Sequence, residues 1–490
     1  MTSSNATETA RETTGFLDRY FHISERGSTI GTEVRAGAVT FFAMAYIIIL
    51  NPLILGTTPD IEGNTLGIAQ VAAATALAAG VMTIAFGLIA RYPFGIAAGL
   101  GLNTMVAVTL VAGEGLTWPE AMGLVVIDGI VIVILAVSGF RVAVFRAIPP
   151  SMKAAIGVGI GLFIAMIGLV DAGFVRRIPD AAHTTVPVGL GIGGSIASWP
   201  TFVFVIGVLL CGILVVRKVR GGLFLGILGT TVLAIIFESV FGSGPSVENG
   251  EPNPGGWSLA VPTIPDSFGG MPDLSLVGAV DLIGGFSRVG VVAATLLVFT
   301  LVLANFFDAM GTMTALGKQG NLVDANGDLP DIKRALVVEG AGAIVGGAVS
   351  ASSSTVFADS SAGVADGART GLANIVTGSL FLLAMFLTPL YEIVPIEAAA
   401  PVLVVVGAMM MAQVTEIDFT KFHIAFPAFL TIVIMPFTYS IANGIGVGFI
   451  MYAVMAAAAG KAKEVHWLMW LVAGLFVIFF AVDPIMDALS

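Results

Sequence analysis

Val291–Leu303 is an apolar run that carries straight into Asn305-Phe306-Phe307-Asp308-Ala309-Met310-Gly311-Thr312. A basic, polar hinge with Lys318, Lys333 and Arg334 follows, and a second apolar stretch ends in Ser352-Ser353-Ser354-Thr355-Val356-Phe357-Ala358-Asp359-Ser360-Ser361-Ala362-Gly363. Two acids, Asp308 and Asp359, therefore sit in or beside membrane-type sequence, next to small residues. A carboxyl group in hydrocarbon is costly, so it faces a cavity, a partner or a substrate. The stretch reads as a polar site in mid-membrane, the mark of a transporter.

Composition extends that reading to the whole chain. Of 490 residues, 57% are hydrophobic and only 11% are charged, where a soluble globular protein carries about 25% charged residues. A spanning helix needs roughly 20 apolar residues, so the chain has room for a dozen or more. The 61 glycines suit helices that pack closely or break. The net charge of −11, with acids gathered in the first 35 residues and in 238–281, argues against nucleic-acid binding, which needs clustered Lys and Arg. Cys211, the single cysteine, lies in an apolar run and reads as a packed or lipid-facing thiol. No cleavable signal peptide is visible in residues 1–30, and Asn5-Ala6-Thr7 reads as a chance glycosylation pattern.

The organisation expected is all-α and polytopic. A cytoplasmic tail (1–33) precedes a first repeat (34–240) with spans near 34–56, 67–90, 97–113, 119–139, 150–171, 199–216 and 221–240. A Gly/Pro-rich extracytoplasmic linker (241–288) leads to a second repeat (289–465) with spans near 289–313, 331–350, 355–370, 371–391, 397–413, 424–441 and 444–460. A hydrophobic segment (466–490) closes the chain and either crosses or lies against the bundle. With a cytoplasmic N-terminus, most Lys and Arg fall inside, as the positive-inside rule requires; Arg176, Arg177 and Arg288 at the end of the linker do not. Seven spans per half make the halves inverted. Echoes support a repeat: Ile148-Pro149 opens span 5 as Val394-Pro395 opens span 12, and Gly-rich segments open spans 7 and 14.

Spans 3 (Pro93-Phe94-Gly95-Ile96-Ala97-Ala98-Gly99-Leu100-Gly101-Leu102-Asn103-Thr104) and 10 (Ser354–Gly363) are short, Gly-rich and polar at matching places. Each reads as an extended stretch feeding a half-helix, and paired interruptions of this kind point to a binding site. Broken backbone survives at membrane depth only beside a cavity or buried in protein, and half-helix N-termini offer free N–H groups. Asp308, Asp359 and Asn103 are the leading ligand residues; Thr312, Ser361, Gly101 and Phe357 complete the candidate set. Asp359 and Asp308 are also the candidate proton-coupling groups. Asp366 and Arg369 read as a gate or a structural pair, Glu392 and Glu397 as solvated loop acids, and Asp128 and Asp171 carry no assignment. The four histidines lack metal spacing, and Gly157-Val158-Gly159-Ile160-Gly161 is helix packing, since no strand precedes it. No phosphate loop is present, so an ion gradient must supply the energy; no metal or cofactor is expected.

Several ordered motifs resemble the nucleobase–cation symporter-2 superfamily, and within it the azaguanine-type purine permeases. They are Phe41-Phe42-Ala43-Met44-Ala45-Tyr46-Ile47 with Asn51-Pro52, Gly99–Asn103, Phe307-Asp308, Gly311-Thr312, Leu329-Pro330, Lys333-Arg334-Ala335, Ser361–Val364, Gly367-Ala368-Arg369-Thr370-Gly371 and Phe437–Gly444. The resemblance implies fourteen spans in two inverted repeats, a core domain (spans 1–4 and 8–11), a gate domain (spans 5–7 and 12–14), and substrate held between short strands of spans 3 and 10. It maps the family's span-8 acid onto Asp308, its span-3 amide onto Asn103 and its span-10 acid onto Asp359. The chain departs from the family pattern in having Asp359 for the usual Glu, Asn305 for a second Asp and Ala309 for Thr.

The function expected is import of hypoxanthine, guanine or adenine across the cell membrane, with a proton (or Na⁺) as coupling ion. An ionised carboxylate accepts two N–H donors from a purine edge, and such charge-assisted bonds are about twice as strong as neutral ones. The alternatives are another nucleobase or a small anion on the same fold, or a passive facilitator. The oligomeric state stays open, a homodimer included.

Overall fold

The computed structural model describes residues 15–140, 147–177, 188–248, 251–258, 260–264, 267, 269–324, 329–391 and 393–489. Each of the fourteen stretches expected to be helical contains helix. By length and composition, nine helices among the described residues are long and apolar enough to cross a membrane: Ile30–Leu55, Ile68–Ile89, Trp118–Ser138, Pro150–Asp171, Trp199–Val216, Gly222–Phe241, Val291–Gln319, Ile396–Glu416 and Ile441–Ala458. Shorter apolar helices, Leu100–Gly113, Gly371–Leu387, Phe422–Phe437 and Trp467–Ala481, accompany them. The chain is a mostly helical, polytopic membrane protein.

Local chemistry sets the helix starts. Ser198 and Ser440 accept hydrogen bonds from Thr201 N and Asn443 N, and Thr117 forms a capping box with Glu120. Pro149 and Pro395, the paired prolines of the sequence, occupy the same position: each is the extended residue before its helix, with ψ of 145° and 154°. Packing runs through glycine. A Cβ on Gly161 would stand 2.8 Å from the Gly407 carbonyl oxygen, and one on Gly80 would stand 2.9 Å from that of Gly378. Those contacts press helix 150–171 onto 396–410 and helix 68–89 onto 371–384.

The two broken segments meet. Strand Ile96–Ala98 pairs antiparallel with strand Ser354–Val356, in the register Ile96↔Val356, Ala97↔Thr355 and Ala98↔Ser354. The first feeds helix Leu100–Thr104 and a π-helical continuation, Met105–Gly113; the second feeds a 3₁₀ turn, Ala358–Ser360, and helix Ser361–Asp366. Backbone groups that the ribbon leaves unpaired take side chains from neighbouring helices, as burial in protein demands. Thr83 Oγ1 both accepts from Ile96 N and donates to Ile96 O at 2.9 Å. Asn374 Nδ2 donates to Phe94 O at 2.7 Å, Gly95 N donates to Ser360 Oγ at 2.9 Å, and Asn51 Nδ2 donates to Ala351 O at 3.0 Å.

The structure adds detail to several expectations and corrects the one for Glu397. The 1–33 segment is not all tail, because helix Phe16–Phe21 packs and Arg26 Nη1 donates to the carbonyls of Arg91 and Arg369. Two further ribbons, Val175–Arg177 with Val188–Leu190 and Val247–Glu248 with Glu251–Pro252, lie outside the apolar stretches. The 466–490 segment forms helix Trp467–Leu489, seated on helix 441–458 through Phe476, whose ring centroid lies 6.2 Å from that of Phe449. Glu397 is not solvated: it is 1% exposed and accepts from Ser258 N at 3.0 Å. Glu392 lies outside the described residues.

Candidate functional site

Helix Val291–Gln319 and the two broken segments enclose a cavity of about 130 Å³. Asp308, Thr312, Gly101, Phe357 and Asp359 all line it. Asp308 and Thr312 lie one turn apart on a helix, so they share a face. Gly101 belongs to the first turn after Ala98, where N–H groups lack intrahelical acceptors. Its lack of a side chain matters, because a Cβ would come within 3.2 Å of Ile441. The opposite wall comes from Ile160, Ile164, Val406, Met410 and Ile441, on helices 150–171, 396–410 and 441–458.

The two acids stand in unlike settings. Tyr46, fully buried where helix Ile30–Met44 breaks before Ile47, donates its hydroxyl to Asp359 Oδ2 at 2.8 Å. Its ring centroid lies 6.0 Å from that of Phe357. Asp308 receives no side-chain hydrogen bond and forms no ion pair among the described residues; the charged group acting on it is another acid, Glu339, buried on helix Ile332–Ala348. No Lys or Arg lines the cavity.

Two candidate residues sit elsewhere. Asn103 is 0% exposed, outside the cavity lining, with neither amide atom hydrogen-bonded. Ser361 lines a neighbouring cavity of about 410 Å³, which touches Lys218 and Arg220 and shares Asp359 as a wall. There Asp366 binds Arg35 at 2.7 Å and also Arg220, not Arg369 as a pair would require; Arg369 Nη1 instead donates to the carbonyls of Val364 and Ala368.

Sequence reasoning missed Tyr46, Glu339 and the role of Asp128. Asp128, Asn305 and Ser353 form one buried knot behind the ribbon: Asn305 Nδ2 donates to Ser353 Oγ at 2.9 Å and to Asp128 Oδ2 at 3.4 Å, and Ser353 Oγ donates to Asp128 Oδ2 at 3.2 Å. The available signals were an acid inside the apolar run Ala335–Ala348 and a tyrosine in a membrane segment, whose hydroxyl needs a partner when buried.

Known proteins fit this architecture. The transmembrane domain of the cyanobacterial bicarbonate transporter BicA superposes with a TM-score of 0.57 at 15% identity, over 88% of this chain and 97% of that one. Murine Slc26a9, an anion transporter in its inward-facing state, gives 0.58 at 11% identity, over 92% and 73%. At such identities the likeness speaks for the fold alone. In sequence, the chain is 39% identical over 472 residues to the guanine/hypoxanthine permease PbuG of Bacillus subtilis, covering 94% of this chain and 98% of that protein. It is 33% identical over 478 residues to the adenine permease AdeP of Escherichia coli, covering 98% of each. Residues 31–447 match the Permease family, and with full-length relatives at these identities the chain belongs to it.

Proposed function

We propose that this permease imports purine nucleobases by proton symport, with Asp308 and Asp359 as the acceptors that hold the base. The observation that carries the reading is that two acids from separate segments line one cavity that contains no cation. A neutral heterocycle rich in N–H donors complements that lining, whereas a small anion would be repelled by it, although anion transporters share the fold. Asp308 grips the N–H edge, free N–H groups around Gly101 meet ring acceptors, and Phe357 covers a face. Relatives named as guanine/hypoxanthine and adenine permeases support the cargo.

The topology that goes with this is fourteen spans in two inverted repeats with the N-terminus in the cytoplasm. Three features support it: the matched prolines at Pro149 and Pro395, the antiparallel ribbon in which each strand feeds a half-helix, and the basic loops on one side. The cavity then lies on the seam between a core (spans 1–4 and 8–11) and a gate (spans 5–7 and 12–14), where rocking of one against the other exposes it to each side in turn. Asp359 also lines the cavity at Arg220, which on this topology is the cytoplasmic side.

The test is uptake of labelled hypoxanthine, guanine and adenine in a permease-null host. Asp308→Asn should abolish uptake at normal membrane abundance, and a protonophore should abolish accumulation by the unmutated chain. Normal uptake by Asp308→Asn, or accumulation that survives the protonophore, would reject the corresponding half of the reading.

A further inference from the structure

We propose a second, waiting site for the nucleobase on the same seam, built on Asp171 and Tyr439 and reached before the central cavity; it rests on the purine-import reading above. A separate cavity of about 250 Å³ is lined by Thr57, Thr58, Thr104, Asp171, Ser258 and Tyr439, among others. It shares no lining residue with the central one but lies about one turn further along the same two helices. On helix 150–171, Ile160 and Ile164 face the central cavity, while Ile167 and Asp171 face this one, a single stripe along one helix face. From Ile164 to Asp171 the rise is about 10 Å. Along the half-helix, Gly101 and Leu102 line the central cavity and Thr104, Ala107 and Val108 line the other. On its far side Asp171 and Ser258 are shared with a third cavity of about 440 Å³ beside Arg176, Arg177 and the 252–256 loop. The three spaces form a string from the 241–285 side to Asp308.

The lining specifies the ligand class. Thr57, Thr58 and Thr104 spend their hydroxyl protons on the carbonyls of Leu53, Ile54 and Leu100, at 3.0, 3.1 and 3.2 Å. Their oxygens therefore turn acceptor lone pairs to the cavity. Asp171 adds a carboxylate that forms no ion pair among the described residues. Tyr439 supplies an aromatic face, braced edge-on by Phe163 with ring centroids 5.3 Å apart. It does so from a left-handed backbone, φ 53°, a conformation that a non-glycine residue keeps only where surrounding structure imposes it. A collar of acceptors beside a flat ring receives a planar ligand with several N–H donors. It has the chemistry of the central pocket, set one step earlier.

The test is equilibrium binding of labelled hypoxanthine to the purified full-length protein in lipid nanodiscs, alongside uptake. Asp171→Asn should raise the uptake KM about 10-fold, the loss of one hydrogen bond to a charged acceptor, with Vmax unchanged. In Asp308→Asn, weak binding should remain and should vanish when Asp171→Asn is added. Ala107→Leu, which fills the cavity and leaves the acid in place, should reproduce both effects if Asp171→Asn folds poorly by thermal melt. An unchanged KM in both variants, or residual binding in Asp308→Asn that ignores them, overturns the waiting site while leaving the central one standing. Normal uptake by Asp308→Asn overturns the central assignment, and the waiting site with it.

Discussion

Tyr46→Phe isolates one bond. The substitution removes only the hydroxyl that donates to Asp359 Oδ2 at 2.8 Å and keeps the ring that packs near Phe357. A hydrogen bond to a charged group contributes about 1.5–3 kcal/mol, and each 1.4 kcal/mol is about tenfold in affinity. With Oδ2 held by the phenol, the Asp359 carboxyl that lines the cavity is fixed in orientation; without that bond the ligand must bear more of the cost of orienting it. The expected result is a hypoxanthine KM raised about 10-fold at the low end of that range, with normal membrane abundance and a thermal melt shifted by only a few degrees. Initial uptake rates in a permease-null host measure the first, and purified protein the second. A double-mutant cycle with Asp359→Ala, which removes the acceptor, should show coupling, because both changes break the same contact. A KM within twofold of the unmutated chain, or strictly additive effects, would refute the orienting role and leave Tyr46 as packing alone.

Other contacts give independent tests. Glu33, fully buried, accepts from Arg369 N at 2.9 Å and Thr370 N at 3.2 Å, so Glu33→Ala strands two donors at the head of helix 371–384; it should cost about 2–3 kcal/mol, read as a lowered thermal melt. Asp366 joins Arg35 of helix 30–44 to Arg220 of the 217–221 loop; its own side chain is buried while both arginines are more than half exposed, so solvent around the arginines holds each pair to about 1 kcal/mol. Asp366→Asn should therefore speed modification of Ser361→Cys, in a Cys211→Ser background, by a few-fold with an impermeant maleimide; an unchanged rate would show that this contact does not latch the cavity.

Much of the fold was legible because its signals are one-dimensional. Apolar run length fixes where helices lie, and the helix ends at Ser198, Ser440, Pro149 and Pro395 follow from single residues. The convergence of Asp308, Thr312, Phe357 and Asp359 on one cavity could be read from the paired interruptions in two segments. The rest depends on angular placement. Asn103 directly follows four lining residues, Gly99–Leu102, yet is itself fully buried outside the lining, a difference that a segment of a few residues without helical periodicity does not record. Tyr46 reaches Asp359 across more than 300 residues of chain, with a separation of 313. Glu397 read as solvated because a loop precedes it, yet the 258 region folds over and satisfies it.

The position of Asn305 bears on cargo choice. Where the family resemblance leads one to expect an acid, this chain has an amide, and such a change beside Asp308 could in principle alter what the pocket recognises. The structure turns Asn305 away from the cavity: it is 0% exposed, absent from the lining, and its Nδ2 holds Ser353 and Asp128. Ser353 in turn accepts from Gly99 N through its carbonyl at 3.0 Å, so the knot anchors the ribbon at the point where both half-helices begin. An acid at 305 would set two carboxylates about as close as the 3.4 Å contact seen here, an arrangement that is stable only if they share a proton. The amide donates without one. Asn305→Asp should therefore change the stability of the ribbon, and through it the transport rate, while the order in which hypoxanthine, guanine and adenine compete for uptake stays the same. A reordered competition series would place residue 305 in recognition, against the geometry.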